Sequence, residues 1–138
     1  MQVLGFVRQV KVVLYRFLKS FIYAVSGIAY CVKTQRNMRL HLLVATTVLI
    51  FSFHINLPAG NLVLVFFAMF GVVIAEMFNT SVELLADAFT KEYHGKIKIA
   101  KDVAAGAVLL AAVNALVTGY LILWPYFYSM VKLYLNRF

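Results

Sequence analysis

The sequence predicts an all-α membrane protein, and three observations carry that prediction. Of 138 residues, 64% are hydrophobic and only 13% are charged, against roughly 25% charged in a soluble domain. Three apolar stretches are long enough to cross a hydrocarbon core of about 30 Å, which takes roughly 20 helical residues at 1.5 Å each. Thirteen Lys and Arg face five Asp and Glu, a net charge of +8, and all five acids lie between Glu76 and Asp102. A chain of this length makes about one domain, and in water so much apolar surface would leave large exposed patches. Residues 1–138 therefore read as a single membrane domain with the bilayer as its partner.

The elements follow in order. Over residues 4–39, Arg8, Lys11, Tyr15, Arg16 and Lys19 fall within an arc of about 140° on a helical projection, with Val10, Val13, Leu14 and Phe17 on much of the remainder. That pattern predicts one or two amphipathic helices lying at the membrane surface. The first span runs over 40–57 and ends at Pro58-Ala59-Gly60-Asn61, a turn signal. The second covers 61–89, uncharged through Ala75. The third covers 97–124; it is uncharged from Val103 and followed by Pro125, as expected near a helix end. On it Ala107, Ala111, Ala115 and Gly119 recur every four residues, a stripe that admits close helix packing.

Several classes are excluded. The single Cys31 allows no intramolecular disulfide or thiolate metal cluster. The basic residues are spread along an apolar chain, so no nucleic acid is expected as a partner. Arg8, Lys11, Arg16 and Lys19 interrupt any signal-peptide core, so the N-terminal segment is expected to be retained. Seven basic residues precede the first span, none lies in the first turn, four lie between spans two and three, and two follow. The positive-inside rule then puts the N-terminus and the second loop in the cytoplasm.

Glu76, Glu83 and Asp87 are spaced seven and four apart, within about 40° of one another on a helix, with Asn79 and Thr80 beside them. Carboxylates near the membrane boundary are costly against lipid, so the aligned set should face protein, water or a cation. The following loop, Lys91 to Asp102, is rich in lysine. Carboxylates that hold Mg²⁺ beside lysines that neutralise phosphate suit magnesium-nucleotide chemistry. The positive-inside rule alone would also account for the lysines. No Gly-x-x-x-x-Gly-Lys-Ser/Thr loop or soluble-kinase signature is present. A small oligomeric cation or proton pathway without kinase activity, and a non-catalytic scaffold, are the competing readings of the same stripe.

Glu76-Met77-Phe78-Asn79-Thr80-Ser81-Val82-Glu83, then Asp87, then Ala100-Lys101-Asp102-Val103-Ala104-Ala105-Gly106-Ala107-Val108-Leu109, resemble the prokaryotic diacylglycerol kinase and undecaprenol kinase family of small integral-membrane lipid kinases. Ser20-Phe21-Ile22-Tyr23-Ala24-Val25-Ser26-Gly27 and Arg36-Asn37-Met38-Arg39-Leu40-His41 fit the same family, so the resemblance covers about residues 15–122. It implies a homotrimer of three-span subunits in a bacterial cell membrane, each with an amphipathic surface helix, that transfers the γ-phosphate of ATP with Mg²⁺ to the hydroxyl of a membrane lipid. By the same resemblance Glu76 is the general base and Asn79 orients the site. Glu83 ligates magnesium. Asp87, Lys101 and Asp102 bind ATP, with Glu92, Tyr93 and His94 near its base and Arg16 and Tyr23 near its phosphates. Arg16, Ser20 and Glu76 meet the lipid substrate. One position departs from the pattern: Gln35 stands where the family usually has a glutamate that resembles a second metal ligand. A glutamine keeps a carbonyl oxygen for Mg²⁺ but no charge, so weaker or altered metal dependence is expected. The acceptor, undecaprenol or diacylglycerol, stays open, with a preference for undecaprenol from the Arg36–His41 and Ala100–Val108 segments.

Outside that pattern, Asn114 is expected to make an interhelical hydrogen bond. His41 and His54 are expected at the interfaces and without a metal. Trp124, Tyr126 and Tyr128 form an outer aromatic belt.

Overall fold

Long apolar runs with few breakers fold as four α-helices in the computed structural model, which describes residues 2–89 and 94–136, with side chains at Gln9 and from Lys11 onward. They are α1 (Gln2–Thr34), α2 (Arg36–His54), α3 (Ala59–Phe89) and α4 (Gly95–Leu135).

Helix α1 is a unit by itself. It is one unbroken helix of 33 residues. Within it Lys19 Nζ lies 5.7 Å from the centroid of the Tyr15 ring, a cation–π pair at i,i+4 spacing. Ser20 Oγ donates to the Arg16 carbonyl at 3.0 Å.

The second unit, Gln35–Phe138, holds the other three helices. Gln35 is extended, with φ −94° and ψ 120°, at the N-cap position of α2. The α2–α3 turn is a Schellman motif. Asn56 takes φ 50°, a left-handed conformation asparagine tolerates better than most residues. The Leu57 N–H then reaches the Ser52 carbonyl at 3.0 Å and the Asn56 N–H reaches Phe53 at 3.1 Å, satisfying the last carbonyls of α2. Leu57 is buried beneath the turn. Pro58 follows, and its carbonyl accepts the Leu62 N–H at 3.0 Å. The turn thus occupies Ile55–Pro58, and Ala59, Gly60 and Asn61 are already helical.

Helix α3 is the centre of this unit. Its buried positions are Val65, Ala68, Met69, Val72, Glu76, Asn79 and Thr80, a single face at 3.6-residue spacing. Ala45 of α2 and Ala115 of α4 complete the apolar cluster around Val65–Val72, with Ala111 and Ala112 packed against it. Of the small-residue stripe of α4, Ala111 and Ala115 pack against α3 as the spacing predicts, whereas Ala107 is exposed on a groove and a Cβ at Gly119 would meet nothing within 4 Å. In lipid there is little transfer free energy between helices, so this close van der Waals packing carries the association.

Three helical stretches are long and apolar enough to cross a membrane: Lys11–Thr34, Ala59–Phe89 and Gly95–Leu135. The second and third contain the expected spans. The N-terminal stretch qualifies because Ser20–Val32 carries no charge, whereas α2 opens with Arg36, Arg39 and His41 and keeps too short an apolar run. Pro125 does not end α4, which continues through it to Leu135. A proline removes only its own N–H bond to the preceding turn, and the residues after it resume the ladder. Asn114 lies exposed on α4.

Candidate active site

The buried face of α3 changes character within one turn. Up to Val72 it is apolar; Glu76, Asn79 and Thr80 then carry it on, and Glu76 is only 2% exposed. Farther along, Glu83 is half-buried and Asp87 exposed. By helical rise Glu83 lies about 10 Å and Asp87 about 16 Å beyond Glu76. The three aligned carboxylates thus run from a buried group to a solvated one along a single stripe.

Local bonds fix this stripe. Thr80 Oγ1 donates to the Glu76 carbonyl at 2.9 Å, which buries the hydroxyl without a partner from another helix. Asn79 Nδ2 donates to Glu83 Oε1 at 3.1 Å. That bond turns the amide so that its Oδ1, also buried, has no hydrogen-bond partner among the described residues. An unpaired buried acceptor costs about 1–3 kcal/mol and marks a place where a donor from outside the protein would be welcome.

Two cavities meet at Asn79. One of about 340 Å³ is lined by Asn37, Leu40 and His41 of α2, Glu76 and Asn79 of α3, and Ala105, Val108, Leu109 and Ala112 of α4. The other, about 650 Å³, lies between α3 and α4 and is almost wholly apolar, lined by Gly71, Ile74, Ala75, Phe78, Val82, Val103, Ala104 and Ala107 among others. The first offers a carboxylate, two amides and an imidazole in a partly desolvated space. The second offers room for hydrocarbon.

At the far end of the stripe, Lys101 Nζ donates to Asp87 Oδ1 at 2.8 Å, joining α4 to α3. Lys98 pairs with Asp102 at 3.0 Å along α4. Both pairs are reached by solvent, so they contribute little to stability, and their lysines remain accessible to a polyanion. His94 is exposed at the N-cap of α4.

The structure therefore brings Glu76, Asn79 and Glu83 together on one face, with Asp87 and Lys101 paired and Asp102 engaged by its own helix. Gln35 lies just before the α2 turn that lines the Glu76 cavity. Arg16, Ser20 and Tyr23 are exposed on α1 at positions sharing one helical face. Glu92 and Tyr93 lie outside the described residues. Among the described residues no cluster of three or more His, Cys, Asp or Glu could hold a metal by itself. Sequence reasoning missed Asn37 as a lining residue and gave His41 only an interfacial role. Their i,i+4 spacing on α2 was the available signal, since it puts two polar side chains on one face at the start of an apolar helix.

Comparison with known proteins fits this geometry. Residues 22–123 match the family model for prokaryotic diacylglycerol kinase. An undecaprenol kinase of Bacillus subtilis is 38% identical over 110 residues, covering 80% of this chain and 89% of that one. A diacylglycerol kinase of Synechocystis is 38% identical over 115 residues, covering 83% of this chain and 66% of its own length. The diacylglycerol kinase of Escherichia coli is 33% identical over 73 residues, covering 53% of this chain and 60% of that one. The apolar helices, the aligned α3 stripe and these matches lead to one conclusion: the chain belongs to the prokaryotic diacylglycerol kinase family.

Proposed function

We propose that this membrane lipid kinase transfers the γ-phosphate of ATP to the hydroxyl of an isoprenoid or glycerolipid alcohol, with Glu76 as the general base. The observation that carries the reading is a carboxylate 2% exposed that lines a cavity with the unpaired Oδ1 of Asn79. A lipid hydroxyl entering that cavity would give its proton to Glu76 as its oxygen attacks the γ-phosphorus, and the bond to ADP would break as the new ester bond forms. General-base assistance of this kind contributes about 10²–10⁴-fold. Asn79 would orient the acceptor, and the apolar α3–α4 groove beside it suits the hydrocarbon of the same substrate.

The nucleotide belongs at the other end of the stripe. Lys101, Asp87 and Asp102 are placed there, with His94, Glu92 and Tyr93 assigned to the base side and Arg16, Ser20 and Tyr23 of α1 to the phosphates and lipid headgroup. Mg²⁺ usually takes one or two protein carboxylates and completes its shell with phosphate and water, so Glu83, with one oxygen engaged by Asn79, fits as a ligand, and Gln35 would add a neutral oxygen. Bound there, the ion would supply charge neutralisation at the β- and γ-phosphate oxygens.

Following the family resemblance, the same reading keeps α1 at the membrane surface although its Lys11–Thr34 stretch is long and apolar enough to cross, takes α2 across the bilayer beside α3 and α4 despite its shorter apolar run, and puts the N-terminus and the α3–α4 loop in the cytoplasm and three copies in the working enzyme. The match across nearly the whole length of an undecaprenol kinase favours undecaprenol as acceptor. A cation pathway is disfavoured because the buried face of α3 beyond Glu76 is apolar from Val72 to Val65, leaving ions nothing polar to follow. Purified protein in detergent, offered undecaprenol and diacylglycerol side by side with labelled ATP, should phosphorylate undecaprenol preferentially. No labelling of either lipid, or labelling undiminished by Glu76→Ala, would overturn the assignment.

A further inference from the structure

Helix α4 is longer than any membrane crossing requires. From Val103 to Leu135 it spans 33 residues, about 50 Å at 1.5 Å per residue. Fitting that length within a hydrocarbon core of about 30 Å would need a tilt of about 50°, beyond the observed range of about 0–40°. Internal packing locates the excess. Ile122, Leu123 and Tyr126 still pack against the apolar cluster that includes Leu57, as does Ile55 of the α2–α3 turn. Every described residue after Tyr126 is exposed, so the extension lies beyond the packed part of its unit. The family match also stops at residue 123.

This extension is not a polar stalk. Phe127, Met130, Leu133 and Leu135 are 46–66% exposed. Ser129, Lys132 and Asn136 fall within an arc of about 60° on a helical projection, and apolar and aromatic side chains fill the remainder. Projected straight into water, the helix would expose a continuous apolar surface. A broad apolar face with a narrow polar strip bearing one long basic side chain is the pattern of a helix embedded at a bilayer interface, with its strip toward water. The means of changing direction is at hand: Pro125 sits inside the helix, and sharp helix kinks are most often at proline. The aromatic series Tyr120, Trp124 and Phe127, with neighbouring centroids 5.6 and 6.0 Å apart, carries lipid-facing surface from the span into the extension without interruption.

We infer that the segment after Pro125, residues 126–136, is an interfacial anchor that lies in the headgroup layer of the membrane face opposite the Asp87–Lys101 end. Its occupant is the lipid surface of the same bilayer, continuous with the lipid contact of the α4 span. It fixes the height of α4 and thereby of Lys101 at the other end.

The test uses the full-length protein with Cys31→Ala, first checked for ATP-dependent lipid labelling, in vesicles of phosphatidylcholine and phosphatidylglycerol. Single spin labels are placed at Phe127, Met130 and Val131 on the apolar face and at Ser129, Lys132 and Asn136 on the strip. Accessibility to oxygen and to a water-soluble nickel chelate is then measured. The expected result is a helical oscillation: the first three favour oxygen at a depth of about 5–10 Å, and the last three favour nickel. Nickel access at all six sites means a helix standing in water, and shielding of the apolar sites from both reagents means a protein cover. A depth that grows steadily along the segment means a continued span. Each of these overturns the inference. A label-free measurement guards against perturbation: Trp124→Phe with Met130→Trp should lose emission to lipids brominated near the headgroup, and emission unaffected by them overturns the anchor equally.

Discussion

Replacing Asn79 with leucine separates the two properties that the structure assigns to this residue. Its amide donates to Glu83 at 3.1 Å, while its Oδ1 is buried without a partner among the described residues. Losing the bond costs about 1–1.5 kcal/mol, because Glu83 is only half-buried and water replaces the donor. Removing the orphaned acceptor returns about 1–3 kcal/mol. Both cavities border the position, so leucine has room. Asn79→Leu should therefore lie between about 0.5 kcal/mol less stable and about 2 kcal/mol more stable, although most substitutions at buried positions destabilise. Activity should fall by about 10²-fold, the scale for removing one preorganised polar group from an active site. SDS titration of the protein in dodecylmaltoside micelles, followed by circular dichroism, reads the first quantity. Transfer of labelled phosphate from ATP to lipid reads the second. A loss of stability above about 1 kcal/mol would refute the orphaned-acceptor argument, and near-normal transfer would refute the placement of Asn79 in the site.

Three further outcomes follow from the same geometry. Ala115→Leu, at a position 5% exposed between α3 and α4, should destabilise by about 1–3 kcal/mol through overpacking, read as a lower SDS midpoint; an unchanged midpoint would mean the backbones are not close there. Gln35→Glu should lower the Mg²⁺ concentration needed for half-maximal activity, and an identical metal titration would remove Gln35 from the ligand set. Reversing the interhelical pair distinguishes tie from ligand: Asp87→Lys and Lys101→Asp should each raise the KM for ATP, and the double variant should regain any lost stability without regaining the KM. Full recovery of KM in the double variant would show that the pair only joins the helices.

Much of α3 was legible because one periodicity governs it. Residues at i, i+3, i+4 and i+7 form a buried face whether they are valines or carboxylates, so the spacing of Glu76, Glu83 and Asp87 revealed a stripe before any packing was known. Contacts between helices were less legible. Asp87 and Lys101 are 14 positions apart on different helices, and nothing local pairs them; Lys98 and Asp102 are four apart, and their pairing follows from spacing alone. His41 was obscured for the same reason. At the start of an apolar helix a histidine reads as an interfacial residue, and only the packing of α2 on α3 puts it on the cavity with Glu76. Pro125 misled because a proline marks a probable helix end, while the apolar, helix-compatible residues after it decide whether the helix resumes.

The alanines of α4 connect these observations. Ala111, Ala112 and Ala115 let α4 approach the apolar half of α3, and Ala105 and Ala112 line the cavity beside Glu76 while Ala104 and Ala107 line the groove on the other side of Asn79. Where α3 presents valine and methionine, small residues on α4 give close contact. Where α3 presents Glu76 and Asn79, small residues on α4 leave a space instead. One repeated residue type therefore closes the bundle around Val65–Val72 and holds it open where the polar stripe begins. The packing of α4 and the room for a lipid hydroxyl at Glu76 are consequences of the same choice of side chain.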